Sequence, residues 1–528
     1  MTVPGLVYNP SMRKYLYVAV FFSGMASLAV EFAASRLLGN YFGTSNLVWA
    51  SIIGLILVYL TAGYFIGGAW ADRSPKHETL YEILCWGSLA IGLIPIISRP
   101  ILRIAADAFD QLQLGVLFGS FSAVMVLMII PITLIGTASP FAIRLAITDT
   151  AQAGKVSGRI YAISTLGSFI GTFLPVLVLI PTIGTYRTFL VISGLLMVVA
   201  LVGLYLACGI KRLLWHLWMP LVIIVLLIFG VNGFNKATDG LVYETESAYN
   251  YIQVIEQNGY TMLRLNEGQG IHSIYKEGVY NFNGTWEQVL AAPFFNTAPV
   301  ALTDVKQIAI VGLAAGTTAR EAAAAFPAVQ IDGIEIDPVI AEVGREYFGM
   351  DLPSLNVIVQ DGRWALENSG KQYDVISVDA YRPPYIPYSL TTREFFQIVY
   401  DHLDTDGVMV INVGRSPGDN RLLESLYSTI AEIFPTLYVT NVEGSYNSML
   451  FATKQPTDIA SFRDNYVYLR NDPATPRFLL EIMAQTYEEL QPAPAPGMVF
   501  TDDLAPVEQI TNSMVLNFLL TGKVENLQ

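Results

Sequence analysis

Four apolar runs of strand character, each ending in residues that could hold a nucleoside or move a proton, carry the chemistry legible in this chain. Residues 308–311 lead into Gly312-Leu313-Ala314-Ala315-Gly316 and then an alanine-rich helical stretch at 318–326. A glycine-bracketed turn of this kind lets backbone approach a nucleoside or sulfonium ligand at the carboxyl end of the first strand of an open α/β sheet. Residues 329–334 are followed by Glu335 and Asp337, where a carboxylate can accept both ribose hydroxyls. Residues 356–360 are followed by Asp361-Gly362, placed to meet an adenine. The fourth run, 373–378, ends at Asp379, beside the crevice where such sheets bind ligands. A carboxylate there can deprotonate an ammonium nucleophile, or hold it, while it attacks a sulfonium carbon. An aspartate that caps a helix or orders a loop is the structural alternative. One Gly-x-x-x-Gly is a weak signal, but strand-end acids at this rhythm describe a nucleoside-binding domain. Metal-ligand spacing, a Ser/His/Asp set and a phosphate-type Gly-Lys-Ser/Thr loop are not found, so no metal is expected.

The elements that must position these residues alternate strand and helix. Helices are expected at 318–326, 338–347, 392–403 and 422–434, and later strands at 407–413, 437–442 and 449–453. This alternation predicts a Rossmann-like, doubly wound, largely parallel sheet of the class I methyltransferase type over 291–455. Before it, strands at 251–256, 261–265 and 271–275 are separated by turns at Asn258-Gly259 and Glu267-Gly268, giving a small antiparallel β unit over 236–290. After it, 456–528 reads as a mostly helical extension. The loop behind Asp379 holds Tyr381, Arg382, Pro383, Pro384, Tyr385, Pro387 and Tyr388. Its prolines could stiffen it as a lid, and its tyrosines suit either a ligand's methylene stem or packing.

The first 235 residues differ in kind. Seven apolar runs, near 15–38, 47–71, 80–98, 114–136, 159–182, 186–208 and 214–233, are long enough to cross ~30 Å of hydrocarbon. They predict a multi-pass helical membrane domain, broken near Pro131 and 136–140. Gly63, Gly67, Gly167 and Gly171 permit close helix packing within the bundle or between copies of the chain, so a homo-oligomer is left open. Glu31 inside the first span has either a functional role or a structural pairing with Arg36. No transport pathway is supported by the few mid-span polar residues. The Lys and Arg bias weakly places the amino terminus inside, and seven spans would then place the soluble half outside. A nucleoside-sulfonium ligand is a cytosolic metabolite, and on that ground the catalytic domain is expected to be cytoplasmic and the protein to reside in the cell membrane.

The net charge of −14 leaves no basic stripe for phosphates and excludes a nucleic-acid binder. It suits a cationic partner. Cys85 and Cys208, the two cysteines, both lie in apolar segments and offer neither a disulfide framework nor a metal quartet. No cleavable signal peptide is expected.

Over roughly 243–455 the sequence resembles the spermidine/spermine synthases, in particular their membrane-anchored bacterial relatives. Ser247-Ala-Tyr249-Asn250-Tyr-Ile252 resembles the family's Ser-x-Tyr-Gln-x-Ile, with Asn250 where the Gln touches the nucleoside. Residues 268–273 resemble the next strand. Residues 312–321 resemble Gly-Gly-Gly-Asp-Gly-x-x-x-Arg-Glu, Glu335-Ile-Asp337 the ribose-binding Glu-Ile-Asp, and Asp361-Gly362 the adenine-side Asp-Gly. Asp379 falls on the catalytic base of Asp-Ser-x-Asp-Pro. The resemblance implies an aminopropyltransferase of polyamine biosynthesis, taking decarboxylated S-adenosylmethionine as donor and a small amine as acceptor.

Three departures bear on that implication. Ala315 replaces the aspartate that holds the donor's amine, Arg382 replaces the second aspartate of the catalytic motif, and Trp286 replaces the His of His-Glu, leaving Glu287. A cation a few ångströms from an ammonium disfavours binding by about a kcal/mol or more. Arg382 could instead pair with the carboxylate of intact S-adenosylmethionine or of an acidic acceptor. The tail acids Asp502, Asp503 and Glu508 either receive a polyamine or cap a helix and stay solvated. His272 either lines the acceptor pocket or is satisfied within its strand. Two alternatives therefore stand beside aminopropyl transfer: an S-adenosylmethionine-dependent methyltransferase, and a catalytically lapsed nucleoside or polyamine sensor that regulates the membrane domain.

Overall fold

A computed structural model describes residues 10–42, 46–112, 115–147, 150–230, 238–266, 270–381, 385–416 and 418–521. The chain divides into two units, Met1–Ala237 and Thr238–Gln528. Among the described residues of the first, seven helices are long and apolar enough to cross a membrane: Lys14–Asn40, Val48–Arg73, His77–Leu102, Phe121–Ala146, Ala153–Ile183, Thr185–Cys208 and Ile210–Phe229. A rise of about 1.5 Å per residue makes even 20 residues span about 30 Å. Of the two places expected to break the fourth helix, Pro131 and 136–140, the break falls in the second. The helix Gly115–Gly136 runs through the proline and stops at Thr137, and Ala138–Ala146 follows. The Thr137 hydroxyl donates to the Leu134 carbonyl at 2.7 Å and so satisfies a carbonyl at the break. In the fifth apolar stretch Pro175, which lacks an amide hydrogen, opens a π-helical turn over Pro175–Leu179.

Gly63, Gly67, Gly167 and Gly171 lie against backbone of the same chain. A Cβ on Gly167 would sit 2.0 Å from the Phe21 carbonyl oxygen, and one on Gly171 2.1 Å from that of Met25. Gly63 and Gly67 similarly abut Thr133 and Thr137, at 2.5 and 2.6 Å. All four are therefore used in packing the first helix on the fifth and the second on the fourth. Ser88 and Ser193 tie the third helix to the sixth, each hydroxyl donating to the other's carbonyl, at 2.5 and 2.6 Å. Glu31 is half-buried inside the first helix.

In the second unit β1 (Leu241–Glu246), β2 (Tyr251–Gln257), β3 (Tyr260–Leu265) and β4 (Ser273–Tyr275) form a four-stranded antiparallel sheet in that order. Asn258 and Gly259 join β2 to β3 at φ of 55° and 78°, the left-handed pair a tight hairpin requires. The eight-stranded sheet comprises β5 (Gln307–Val311), β6 (Gln330–Glu335), β7 (Leu355–Val359), β8 (Tyr373–Val378), β9 (Leu403–Gly414), β10 (Thr436–Asn441), β11 (Asn447–Thr453) and β12 (Leu490–Gln491). Its order is β12-β10-β11-β9-β8-β5-β6-β7. Strands β7, β6, β5, β8 and β9 are parallel, and β11, β10 and β12 add an antiparallel edge. Chain order reverses between β5 and β8, the place where open α/β sheets bind ligands.

Both faces of this sheet are buried, which is why its strands read as continuous apolar runs. Successive side chains point to opposite faces. Ile308 and Ile310 accordingly join one core with Phe295, Val410 and Phe451, whereas Ala309 and Val311 join the other with Ile376, Phe395 and Leu426. The extension expected as a separate helical piece completes the first of these cores. Phe462, Leu469, Leu479 and Met483, from the helices Ile459–Arg470 and Arg477–Glu488, are buried in it. Phe295, from the 3-10 segment Glu287–Phe295, sits 4.5 Å from the Phe462 ring centroid and 4.7 Å from that of Phe451.

The close helix contacts give a direct test. Gly167→Leu must push the Phe21 backbone away and is expected to lower the thermal midpoint of the detergent-solubilised protein by the equivalent of about 1–3 kcal/mol or more. Gly158→Leu, where no atom lies within 4 Å, is expected to leave it unchanged. Equal effects of the two substitutions would contradict the packing.

Candidate active site

The glycine turn closes over the carboxyl ends of β5 and β8. Gly312 has φ of +94°, and a Cβ there would lie 2.5 Å from the Asp379 carbonyl oxygen and 2.7 Å from the Ala380 Cα. Only glycine allows that approach. Its amide donates to the Ile334 carbonyl at 3.0 Å, while the Asp379 amide donates to the Val311 carbonyl at 2.9 Å. Gly316, at φ of +84°, is the residue from which the helix Thr317–Ala325 departs, and Met350 fills the space its side chain would need. Between them Ala314 adopts φ of +48°, and the Ala315 amide donates to the Ser273 hydroxyl at 2.9 Å. Thr317 exchanges hydrogen bonds with both backbone groups of Ile274, at 2.9 Å each. The turn is thus clamped to β4.

Glu335, at the end of β6, points back into this turn. One carboxylate oxygen accepts from the Ala314 amide at 2.9 Å and the other from the Asp337 amide at 3.0 Å. Burial pushes its carboxyl up to about 7. Asp337 is fully buried: one oxygen caps the helix Pro338–Tyr347 through the Val339 amide at 3.1 Å, and the other accepts from Asn250 at 2.9 Å and from the Ser247 hydroxyl. The remaining end of the Asn250 amide accepts from Asn266 at 3.0 Å. Asn250 and Asp337, expected to face the nucleoside, therefore face each other, and hold β2 against the end of β6. Asp361 remains exposed at the end of β7, where it caps the helix Gly362–Glu367 through the Trp364 amide at 3.0 Å. A Cβ on Gly362 would lie 2.6 Å from the Val311 side chain, so the glycine lets β7's turn approach β5.

Asp379 is partly buried, and its carboxylate accepts from the Asn412 side chain at 2.9 Å. Burial raises its carboxyl to about 6, against the opposing pull of the Asn412 hydrogen bond. Asn412 lies in the apolar strand β9, and its position was not singled out from the sequence. One polar residue within Val408-Met409-Val410-Ile411-Asn412-Val413, on the strand beside β8, was the available signal. Tyr381 donates to the Asn412 carbonyl at 3.1 Å and accepts from the Gly414 amide at 2.8 Å, so it anchors the loop to β9. Arg382 lies outside the described residues. Further along the loop the Tyr385 hydroxyl donates to Asn512 in the tail helix Val507–Thr521, and Tyr388 is exposed.

The weaker candidates are placed differently from expectation. Asp502 is held by both terminal nitrogens of Arg363, at 2.7 Å each, and by the Thr392 hydroxyl, which keep its carboxyl below the usual range. Its charge is met within the protein and does not wait for a polyamine. Asp503 is exposed, and Glu508 opens the tail helix. His272 is lowered by burial to about 4, so it is neutral near pH 7. Glu287 is fully buried, and one of its carboxylate oxygens accepts from the Gly284 and Phe282 amides at 2.6 and 3.2 Å. Trp286, in the place of a histidine, donates its indole N–H to the His272 carbonyl at 3.3 Å. Glu321 is also fully buried, and neither of its carboxylate oxygens has a hydrogen-bond partner among the described residues. Burial, with repulsion from Glu287, raises it well above the usual carboxylate range. No group of three or more potential metal ligands is found among the described residues.

Residues 294–462 match the spermine/spermidine synthase domain family. A probable polyamine aminopropyl transferase of Bifidobacterium longum is 32% identical over 295 residues, which are 53% of this chain and 64% of that protein. The match thus spans somewhat less than two thirds of the relative's length. The eEF1A lysine and N-terminal methyltransferase of Mus musculus is 31% identical over 158 residues, 28% of this chain and 22% of its own. The crystal structure of the spermidine synthase of Thermotoga maritima aligns at 21% identity and a TM-score of 0.38, over 47% of this chain and 84% of that one.

The buried acids Glu287, Glu321 and Glu335 all hold protons more tightly folded than unfolded. The stability they permit is present below the ordinary glutamate range and is lost as pH rises through their raised values, for Glu335 between about 4.5 and about 7. The thermal midpoint is expected to fall from pH 5 to pH 8, and Glu321→Gln to flatten that slope by up to one proton, about 1.4 kcal/mol per pH unit. A midpoint independent of pH over that range would contradict this.

Proposed function

Because the chain carries a spermine/spermidine synthase domain at residues 294–462, we propose that it is a transferase that moves an aminopropyl group from decarboxylated S-adenosylmethionine to a small amine. The observation that carries this reading is Asp379. It sits at the reversal point of the sheet, backed by Gly312 and oriented by Asn412, with its carboxyl near 6. At pH 7 it is mostly ionised, and basic enough to take a proton. The lone pair of the acceptor amine attacks the aminopropyl carbon next to sulfur, and the C–S bonding pair leaves on sulfur. The proton lost from nitrogen passes to an Asp379 carboxylate oxygen. The sulfonium supplies a neutral leaving group, so positioning provides most of the rate enhancement.

The donor's nucleoside would lie over Gly312 and Gly316, with Glu335 at the ribose and the exposed Asp361 at the adenine. Asp337 and Asn250 act behind this site, holding β2 in place. The seven apolar helices would anchor the enzyme as a multi-pass protein of the cell membrane, with the catalytic unit in the cytoplasm. A second reading, methyl transfer from intact S-adenosylmethionine, is favoured by Ala315. It is fully buried in the turn and presents no carboxylate to a donor's amine. Calorimetry with the two donors separates the readings: aminopropyl transfer expects the decarboxylated form to bind more tightly, and methyl transfer the intact one.

Asp379→Asn is expected to lower kcat/KM for amine consumption at least about 100-fold with the thermal midpoint preserved. The acid limb of the wild-type profile should lie near pH 6. Asn412→Leu removes the hydrogen bond that favours the ionised carboxylate, so this limb should move to higher pH. A limb unmoved by Asn412→Leu, or full activity in Asp379→Asn, would show that another group is the base.

A further inference from the structure

A cleft of about 370 Å³ opens beside the β10–β11 turn, lined by Arg415, Asn441, Glu443, Ser445, Tyr446 and Glu489. It lies along the same sheet edge as Asp379, since the start of β11 pairs with the end of β9, Asn447 opposite Gly414. Gly414 donates to Tyr381, so Arg415 follows directly on the residue that anchors the loop behind Asp379. The Arg415 amide donates to the Tyr446 carbonyl at 2.7 Å, and one terminal guanidinium nitrogen to the Ser445 carbonyl at 3.1 Å. Its Nε is buried and has no acceptor among the described residues. No carboxylate among them forms an ion pair with this guanidinium, and none of their cations pairs with Glu443 or with the half-buried Glu489.

One cation and two anions thus line a single polar cleft without neutralising one another. A guanidinium presents a planar fork that matches a carboxylate, and a carboxylate accepts from an ammonium. A ligand carrying both groups satisfies the cleft, whereas a plain diamine leaves Arg415 unmatched and repelled. We infer that the cleft receives part of the acceptor, and that this acceptor is an amine bearing a carboxylate, of the diamino-acid class. The inference rests on the amine-transfer reading and narrows it. Arg415 follows Asn412, whose side chain holds Asp379, by three residues in the chain.

The test compares L-ornithine with 1,4-diaminobutane, which is the same chain of amines without the carboxylate. Both are titrated calorimetrically into the full-length protein without donor, so that nothing turns over. Ornithine is expected to bind about tenfold more tightly or better, and Arg415→Met to bring the two ligands within about twofold by weakening ornithine alone. Arg415→Lys, which keeps the charge and loses the fork, should fall between, and it serves if the methionine variant does not fold. Ornithine binding that is equal, weaker or undetectable, or a ratio unmoved by either variant, overturns the inference. Turnover is read separately with both donors. If no amine is consumed, amine transfer itself fails, while the binding ratio still reports on the cleft.

Discussion

The second unit depends on how closely two strand ends approach. Where β5 and β8 part, the chain turns at Gly312 with its Cα against the backbone of Asp379 and Ala380, and a methyl group there would lie 2.5 Å from a carbonyl oxygen. This proximity brings the glycine turn and the strand-end carboxylate together. Other features secure it. Ser273 and Thr317 tie the turn to β4, Gly362 lets the end of β7 close in, and Tyr381 fastens the loop beyond Asp379 to β9.

Around this contact the chain distributes carboxylates by how they are satisfied. Asp337 and Asp502 are fully engaged by hydrogen-bond donors and act as braces. Glu335 accepts one backbone amide on each oxygen and Asp379 one side-chain amide, and burial raises both carboxyls. Glu321 has no such support and is best accommodated protonated. Unpaired buried charge is expensive, so proximity to a ligand cannot be read from acidity alone. The donors around each carboxylate decide its use.

Much of the fold was legible because both faces of the sheet are buried and its turns carry glycine or acid. The runs at β8 and the helix Pro338–Tyr347 were placed at their observed limits, and the seven apolar stretches each became a long helix. Long-range partners were harder to read. That Asn250 meets Asp337, or Arg363 meets Asp502, depends on residues 87 and 139 positions apart. Asn412 escaped notice because its meaning comes from the neighbouring strand rather than its own. Strand β1 and the segment Glu287–Phe295 were missed for a related reason. β1 shows no sharp alternation, and the second segment is apolar nearly throughout, so its pattern does not reveal which core it fills.

The central claim is that Asp379 assists an amine in displacing a nucleoside thioether from an aminopropyl sulfonium. Mass spectrometry of the nucleoside product tests it most directly, using the purified full-length protein, both forms of S-adenosylmethionine, and an amine acceptor with and without a carboxylate. The account predicts 5′-methylthioadenosine in equal amount with an aminopropylated amine, formed from the decarboxylated donor and lost in Asp379→Asn. Formation of S-adenosylhomocysteine with a methylated acceptor, or of no nucleoside thioether from either donor, would contradict it.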